Sequence, residues 1–207
     1  MAIATNKRAQ QSDLIIEATL RSLSTSGYAA TSLQRIAEEA GTSKRMVLHY
    51  FESRDQLFDE VVTRICRRVL AQVEEAVSEE EDPDARLTDA LDRIWDFIVE
   101  DPGLHAAFFG ILGESVTNPQ HRATIATVRQ EYREVVARVI AESTPERRWE
   151  PGELDSASTL ILATMAGLTI DYLERGDTPA LQQGFSDFKQ HVTHLVYERA
   201  PAPRVES

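Results

Sequence analysis

A chain of 207 residues has room for one domain or two small ones. Its 42% hydrophobic and 27% charged residues are ordinary for a packed soluble protein and exclude disordered, collagen-like and mucin-like chains. No run approaches ~18 uninterrupted apolar residues, Asp13 and Glu17 interrupt the one candidate signal-peptide segment, and the single cysteine, Cys66, excludes an intrachain disulfide framework and a multi-cysteine zinc site. The expectation is a soluble, unexported, cytoplasmic protein with no membrane partner, no metal and no cofactor.

The predicted elements are all helical, because apolar residues recur at helical spacing and no period-two alternation is sustained. After a polar, flexible arm with Lys7 and Arg8, Ile16, Leu20 and Leu23 mark a first helix that stops at Gly27. Thr31 and Gln34 have capping-box spacing ahead of Leu33, Ile36, Ala37 and Ala40, and Gly41 ends that short helix. Only Thr42 and Ser43 separate it from a third helix with Val47 and Phe51 as an apolar pair, which makes a tight helix-turn-helix. Ser53 and Gln56 then cap a long helix whose Phe58, Val62, Ile65, Val69, Val73 and Ala76 keep one face apolar. Five more helices follow at about 84–101, 103–115, 119–143, 153–175 and 179–200, two of them opened by Asn118-Pro119 and Thr178-Pro179, and a disordered tail begins at Pro201.

The formal charge of −12 opposes a polyanionic partner, but its distribution does not. Residues 1–54 carry seven cations against five acids, a local +2, which leaves −14 for the rest of the chain. Within that positive segment, Ser43-Lys44-Arg45 places two cations in a first helical turn, where the macrodipole favours acids, and Arg54 follows the Ser53 cap in the same way. Taken singly, an exposed first-turn cation costs only ~0.3–1 kcal/mol and needs no partner. Two such helix starts within 12 residues, on a helix-turn-helix, point to neutralisation by a phosphate backbone.

The segment resembles the TetR family of bacterial transcription repressors in Gly27-Tyr28, Thr31-Ser32, Ile36-Ala37, Ala40-Gly41-Thr42-Ser43, His49-Tyr50-Phe51 and Arg54, a match over about 50 residues. Arg45 stands where the family often has glycine, Met46 where threonine is frequent, and Leu48 where a phosphate-contacting tyrosine is usual. The resemblance implies DNA contacts from Thr42, Ser43, Lys44, Arg45, Met46, His49 and Tyr50. Arg45 would read guanine through two parallel hydrogen bonds, while Lys44, His49, Tyr50 and Arg54 would clamp the backbone. Thr31, Ser32 and Arg35 would hold a neighbouring phosphate, and Lys7 and Arg8 would follow the strand. Tyr50, beside Phe51, admits both packing and contact.

The family's C-terminal domains bind a small effector and dimerise through the last two long helices. Ile161, Met165, Leu168 and Tyr172, spaced 4, 3, 4, and Leu181, Phe185, Phe188, Val192 and Leu195, spaced 4, 3, 4, 3, suit either a four-helix dimer contact or ordinary packing within one chain. The interface expected is Ile161, Leu168, Tyr172, Phe185, Phe188 and Val192. Trp95, Phe97, Phe108, Phe109, Leu112, Tyr132 and Met165 line either an effector cavity or plain core. His191 and His194 are read as helix-end histidines rather than a metal pair, and Cys66 as a packing residue.

The resulting expectation is an all-α protein with a DNA-binding helix-turn-helix domain over 1–53, a connecting helix over 54–79, an effector-binding and dimerisation domain over 80–200, and a tail over 201–207. Its partners would be a double-stranded palindromic operator, a small-molecule effector and a second copy of the chain. An activator or adaptor of the same architecture is the alternative. A helical enzyme or carrier is a remote one, because no nucleophile with a base, phosphate loop or metal cluster stands out.

Overall fold

The computed structural model describes residues 2–80 and 82–198, and every regular element among them is helical. In chain order these are α1 (Ala2–Ala30), α2 (Leu33–Glu39), α3 (Lys44–Tyr50), α4 (Arg54–Glu79), α5 (Pro83–Glu100), α6 (Pro102–Ser115), α7 (Pro119–Ser143), α8 (Glu153–Arg175) and α9 (Pro179–Thr193), closed by a π-turn over His194–Glu198. The tail expected from Pro201 lies outside the described residues.

The starts and stops follow local chemistry. The segment expected as a flexible arm is instead the beginning of α1, since its alanine, glutamine, lysine and arginine residues are good helix formers. The helix breaks at Gly27 (φ 73°, ψ 174°) and resumes for one turn to Ala30. The cap of α2 is Ser32, whose Oγ accepts from Arg35 N at 3.2 Å, and not Thr31. At α4, Gln56 N donates to Ser53 Oγ at 3.0 Å and Gln56 Oε1 accepts from Glu52 N at 2.6 Å, so the reciprocal cap closes one residue further back than a standard capping box. Asp101 and Thr178 cap α6 and α9 through the amides of Leu104 and Leu181, with a proline in the first turn of each.

The chain packs as two compact units. Unit 1 comprises the residues up to Val69 together with Phe97–Gln130, and unit 2 comprises Leu70–Asp96 together with the residues after Gln130. Helices α4, α5 and α7 each contribute to both without interruption. In unit 1 the core is built from Ile15, Ile16, Leu20 and Leu23 of α1, Ile36 and Ala37 of α2, Val47 of α3, Leu57, Phe58, Val61, Val62 and Ile65 of α4, and Leu104, Ala107 and Ile111 of α6. Cys66 is buried there as a packing residue. The crossing of α1 and α6 is close: a Cβ on Gly103 would lie 2.7 Å from Ser24 Cβ, so only glycine fits without displacement. In unit 2, Val73, Leu87, Leu91, Val139, Ile140, Ile161, Met165, Leu181, Phe185, Phe188, Val192 and Val196 are buried.

Candidate nucleic-acid interface

Helices α2 and α3 are joined by a turn in which Thr42 N donates to Ala37 O at 2.9 Å and Gly41 takes a φ of 62°, a conformation that side chains with a Cβ rarely adopt. Ala37 is buried against the turn. Ser43 caps α3 by accepting from Met46 N at 3.2 Å. Val47, with no exposed surface, and the buried Phe51, whose N–H donates to Val47 O at 2.9 Å, fix the helix to the core.

An α-helix turns about 100° per residue, so the residues most nearly opposite Val47 are Arg45 and His49. Both are exposed, as are Ser43, Lys44, Met46 and Leu48, whereas Thr42 and Tyr50 are half-buried. The rings of His49 and Tyr50 meet edge to face at 5.5 Å. Lys44, Arg45, Leu48 and His49 line an open concavity on this surface. The first turn of α3 contains no acid, and neither Lys44 nor Arg45 has an ion-pair partner among the described residues. Two unneutralised cations therefore sit at the positive end of a helix dipole on a surface held open by its own anchors.

Two expected contacts are corrected. Thr31 is buried: its hydroxyl donates to Gly27 O at 2.8 Å and lies 3.3 Å from Ser22 Oγ, so it closes the break in α1 and cannot reach a phosphate. Arg54 is turned back onto the same junction. Its Nη2 donates to Tyr28 O at 2.6 Å and its Nε to Thr31 O at 3.0 Å, while the guanidinium lies 4.5 Å from the ring centres of both Tyr28 and Phe58. It supplies donors to carbonyls left open where α1 ends, a role in which a planar guanidinium serves better than an ammonium. Ser32 and Arg35 remain exposed, Ser32 as the α2 cap and Arg35 in a 3.4 Å pair with Glu39.

Unit 1 also holds a polar network that no local spacing announces. His121 of α7 has no exposed surface; its Nδ1 lies 2.7 Å from Asp59 Oδ1 and its Nε2 3.2 Å from Tyr28 Oη, with Asp55 Oδ1 at 3.6 Å. Burial pushes the Tyr28 hydroxyl up from its ordinary range, against the lowering effect of Arg54, which keeps it a donor. Nδ1–H donates to Asp59 and the Tyr28 hydroxyl is the partner of Nε2, so both ring nitrogens are engaged. The residues involved are 62 and 93 positions apart, which is why sequence spacing gave no signal.

The residues expected around an effector do not converge within either unit. Phe108, Phe109 and Leu112 belong to unit 1, where the two phenylalanine rings meet edge to face at 5.5 Å, and Phe97 of the same unit packs on His105 at 5.4 Å. Trp95, Tyr132 and Met165 belong to unit 2, where Trp95 stacks on Phe185 at 4.7 Å and meets Tyr172 edge-on at 5.9 Å. Four of the six residues expected at a dimer contact face the chain's own core. Ile161, Phe185, Phe188 and Val192 are buried within unit 2, and Leu168 and Tyr172 are half-buried. The most apolar stripe of each helix has gone to its own core. The outward stripe of α8 is instead Leu160, Ala163, Gly167 and Ile170, spaced 3, 4, 3 and exposed, with Leu160 at 55% and Ile170 at 49%. His191 Nδ1 donates to Asp187 O at 2.7 Å, and no group of three or more metal-ligating side chains occurs among the described residues.

A capped helix-turn-helix whose second helix is anchored by a buried valine and carries two exposed, unpaired cations in its first turn is the arrangement of a DNA-binding protein. Residues 15–61 match the family profile of bacterial regulatory proteins, tetR family, and residues 83–196 match that of the BetI-type transcriptional repressor, C-terminal. The chain is 25% identical over 179 residues to the HTH-type nicotine-responsive transcriptional repressor HdnoR of Paenarthrobacter nicotinovorans, covering 86% of this chain and 90% of that one. Among solved structures, a transcriptional regulator from Pseudomonas aeruginosa PAO1 superposes with a TM-score of 0.76 at 23% identity over 89% and 88% of the two chains. A TetR transcription regulator from Haloarcula marismortui gives 0.75 at 23% identity over 91% and 97%. The chain belongs to the TetR family of transcriptional regulators: it is a DNA-binding regulator and not an enzyme. Helix α8 is long and apolar enough to cross a membrane by length and composition alone, but it lies within the match to the regulators' C-terminal profile.

Proposed function

We propose that the protein is a cytoplasmic homodimeric repressor that leaves a palindromic operator when a small-molecule effector binds. In this reading residues 1–53 carry the operator contacts, the helix over 54–79 connects them to the rest, and residues 80–200 bind effector and partner. The observation that carries it is the pair Lys44 and Arg45, exposed and without ion-pair partners on a helix anchored by Val47. Arg45 reads a base edge, Lys44 and His49 clamp phosphates, and Ser32, Arg35, Thr42, Ser43, Met46 and Tyr50 complete the contact surface.

One short recognition helix reads few bases, whereas a two-fold pair spans half-sites about 34–36 Å apart. The outward stripe Leu160, Ala163, Gly167 and Ile170 supplies a surface for that pairing, its small residues permitting close helix approach. The match to a nicotine-responsive repressor supports an organic amine as effector, and the aromatic cluster of Trp95, Tyr172 and Phe185 supports unit 2 as its place. Release by 100-fold requires a coupling free energy of ~2.7 kcal/mol between effector and operator.

The test is selection of bound sites from random duplexes, with and without a panel of organic amines. A palindromic consensus whose affinity falls with one of the amines is expected. Lys44→Ala should weaken all sequences alike and flatten the salt slope by roughly one unit, while Arg45→Ala should relax preference at particular bases. If both variants bind every duplex like the parent, the contact surface is elsewhere.

A further inference from the structure

We infer that Leu48 and Met46 read the 5-methyl groups of thymines on the two sides of the base pair that Arg45 addresses. This rests on the operator reading above and adds to it the class of base. At about 100° per residue, Met46 and Leu48 flank the line of Arg45 and His49 as its two shoulders. They are 38% and 39% exposed, while Val47 between them has no exposed surface. Of the large hydrophobic side chains exposed among the described residues, these two share a helix of only seven residues, in the middle of the cationic surface.

Neither side chain has a donor for a phosphate oxygen, so neither replaces a backbone clamp. Leu48 forms the apolar wall of the concavity otherwise lined by Lys44, Arg45 and His49. A surface rimmed by cations selects a polyanion over an apolar protein partner, and within the major groove thymine alone presents a methyl group at its edge. The apolar shoulders are continuous with the DNA-binding surface, and the thymine methyl is the group on its ligand that they fit.

The experiment takes a duplex selected by the full-length protein and replaces each thymine in turn by deoxyuridine, which removes the methyl and keeps the base pair. Loss of about fourfold is expected at one position or more in each half-site, the factor corresponding to ~0.8 kcal/mol per buried CH2 group. Leu48→Ala should abolish the penalty at one such position and Met46→Ala at another. Both variants should keep the parent's helical circular dichroism and its salt slope, since no phosphate contact is touched. Equal affinity of the parent for thymine and deoxyuridine at every position overturns the inference and leaves DNA binding intact. A penalty that survives in both variants also overturns it. Failure to select any duplex removes the operator reading and this inference together.

Discussion

His121 Nδ1 of α7 lies 2.7 Å from Asp59 Oδ1 of α4, and the Tyr28 hydroxyl at the end of α1 reaches the other ring nitrogen at 3.2 Å. Three helices are joined through one imidazole with no exposed surface. Replacing it by phenylalanine removes a partner from the Tyr28 hydroxyl and from the Asp59 carboxylate, which keeps Gln120 Nε2 at 3.4 Å. His121→Phe is expected to destabilise the fold by about 2–4 kcal/mol, read from the midpoint of denaturant unfolding. A loss below about 0.5 kcal/mol, the ordinary surface value, would show that the network carries little of the stability.

Arg54 separates a structural role from a DNA-clamping one. Its two bonds to the carbonyls of Tyr28 and Thr31 require a forked donor, which lysine lacks. Arg54→Lys should lower stability by about 1–3 kcal/mol and leave the salt slope of operator binding unchanged. A slope reduced by about one unit, with stability intact, would return Arg54 to the phosphate contacts.

His105 gives the protein a pH dependence of defined sign. Burial lowers its pKa from the ordinary 6.5, opposed by the bond from Nδ1 to Asp101 O at 3.0 Å and by the Asp101 charge. The unfolded chain therefore binds the proton more readily than the folded one, and stability rises with pH across the interval below 6.5. The contribution is fully present above that value and is lost as pH falls toward the folded pKa. Unfolding at pH 7.5 and 5.5 should show a smaller acid loss for His105→Gln than for the parent; equal losses would exclude His105 as the source.

The outward stripe of α8 predicts a surface variant that changes assembly and not folding. Leu160→Glu together with Ile170→Glu places charge on side chains that are 55% and 49% exposed in the single chain. Light scattering should report the parent as a dimer and the double variant as a monomer, with helical content preserved. A double variant that remains dimeric would place the interface on another face.

The legible parts of the sequence were those governed by local chemistry. Proline after a capping residue marks the starts of α7 and α9, and Gly41 marks the turn of the helix-turn-helix, because such signals act over three or four positions. The exposure of Lys44 and Arg45 is legible in their place in the first turn of α3. Thr31 and Arg54 were misjudged for one reason: each has the residue type and position of an anion contact, but the break at Gly27 leaves carbonyls and a hydroxyl nearby that take their donors first. The apolar stripes of α8 and α9 are legible in the sequence, but that Ile161, Phe185, Phe188 and Val192 are buried within unit 2 is not, since periodicity locates a hydrophobic face without stating what covers it. The His121 network was invisible because its members meet only in the folded chain.

The continuity of α4 and α7 through both units bears on how the DNA-reading part can be inherited or borrowed. Ile15, Ile16, Leu20 and Leu23 of α1 and Val47 of α3 are buried in unit 1 together with side chains of α4, α6 and the first half of α7. A graft that cut the chain after residue 53 would carry α1, α2 and α3 and leave behind Leu57, Phe58, Val61 and Val62, which are buried in the same unit. Exchange of specificity between such regulators is therefore expected to succeed by replacing surface side chains of α3 on a retained scaffold, and to fail by transplanting the segment whole.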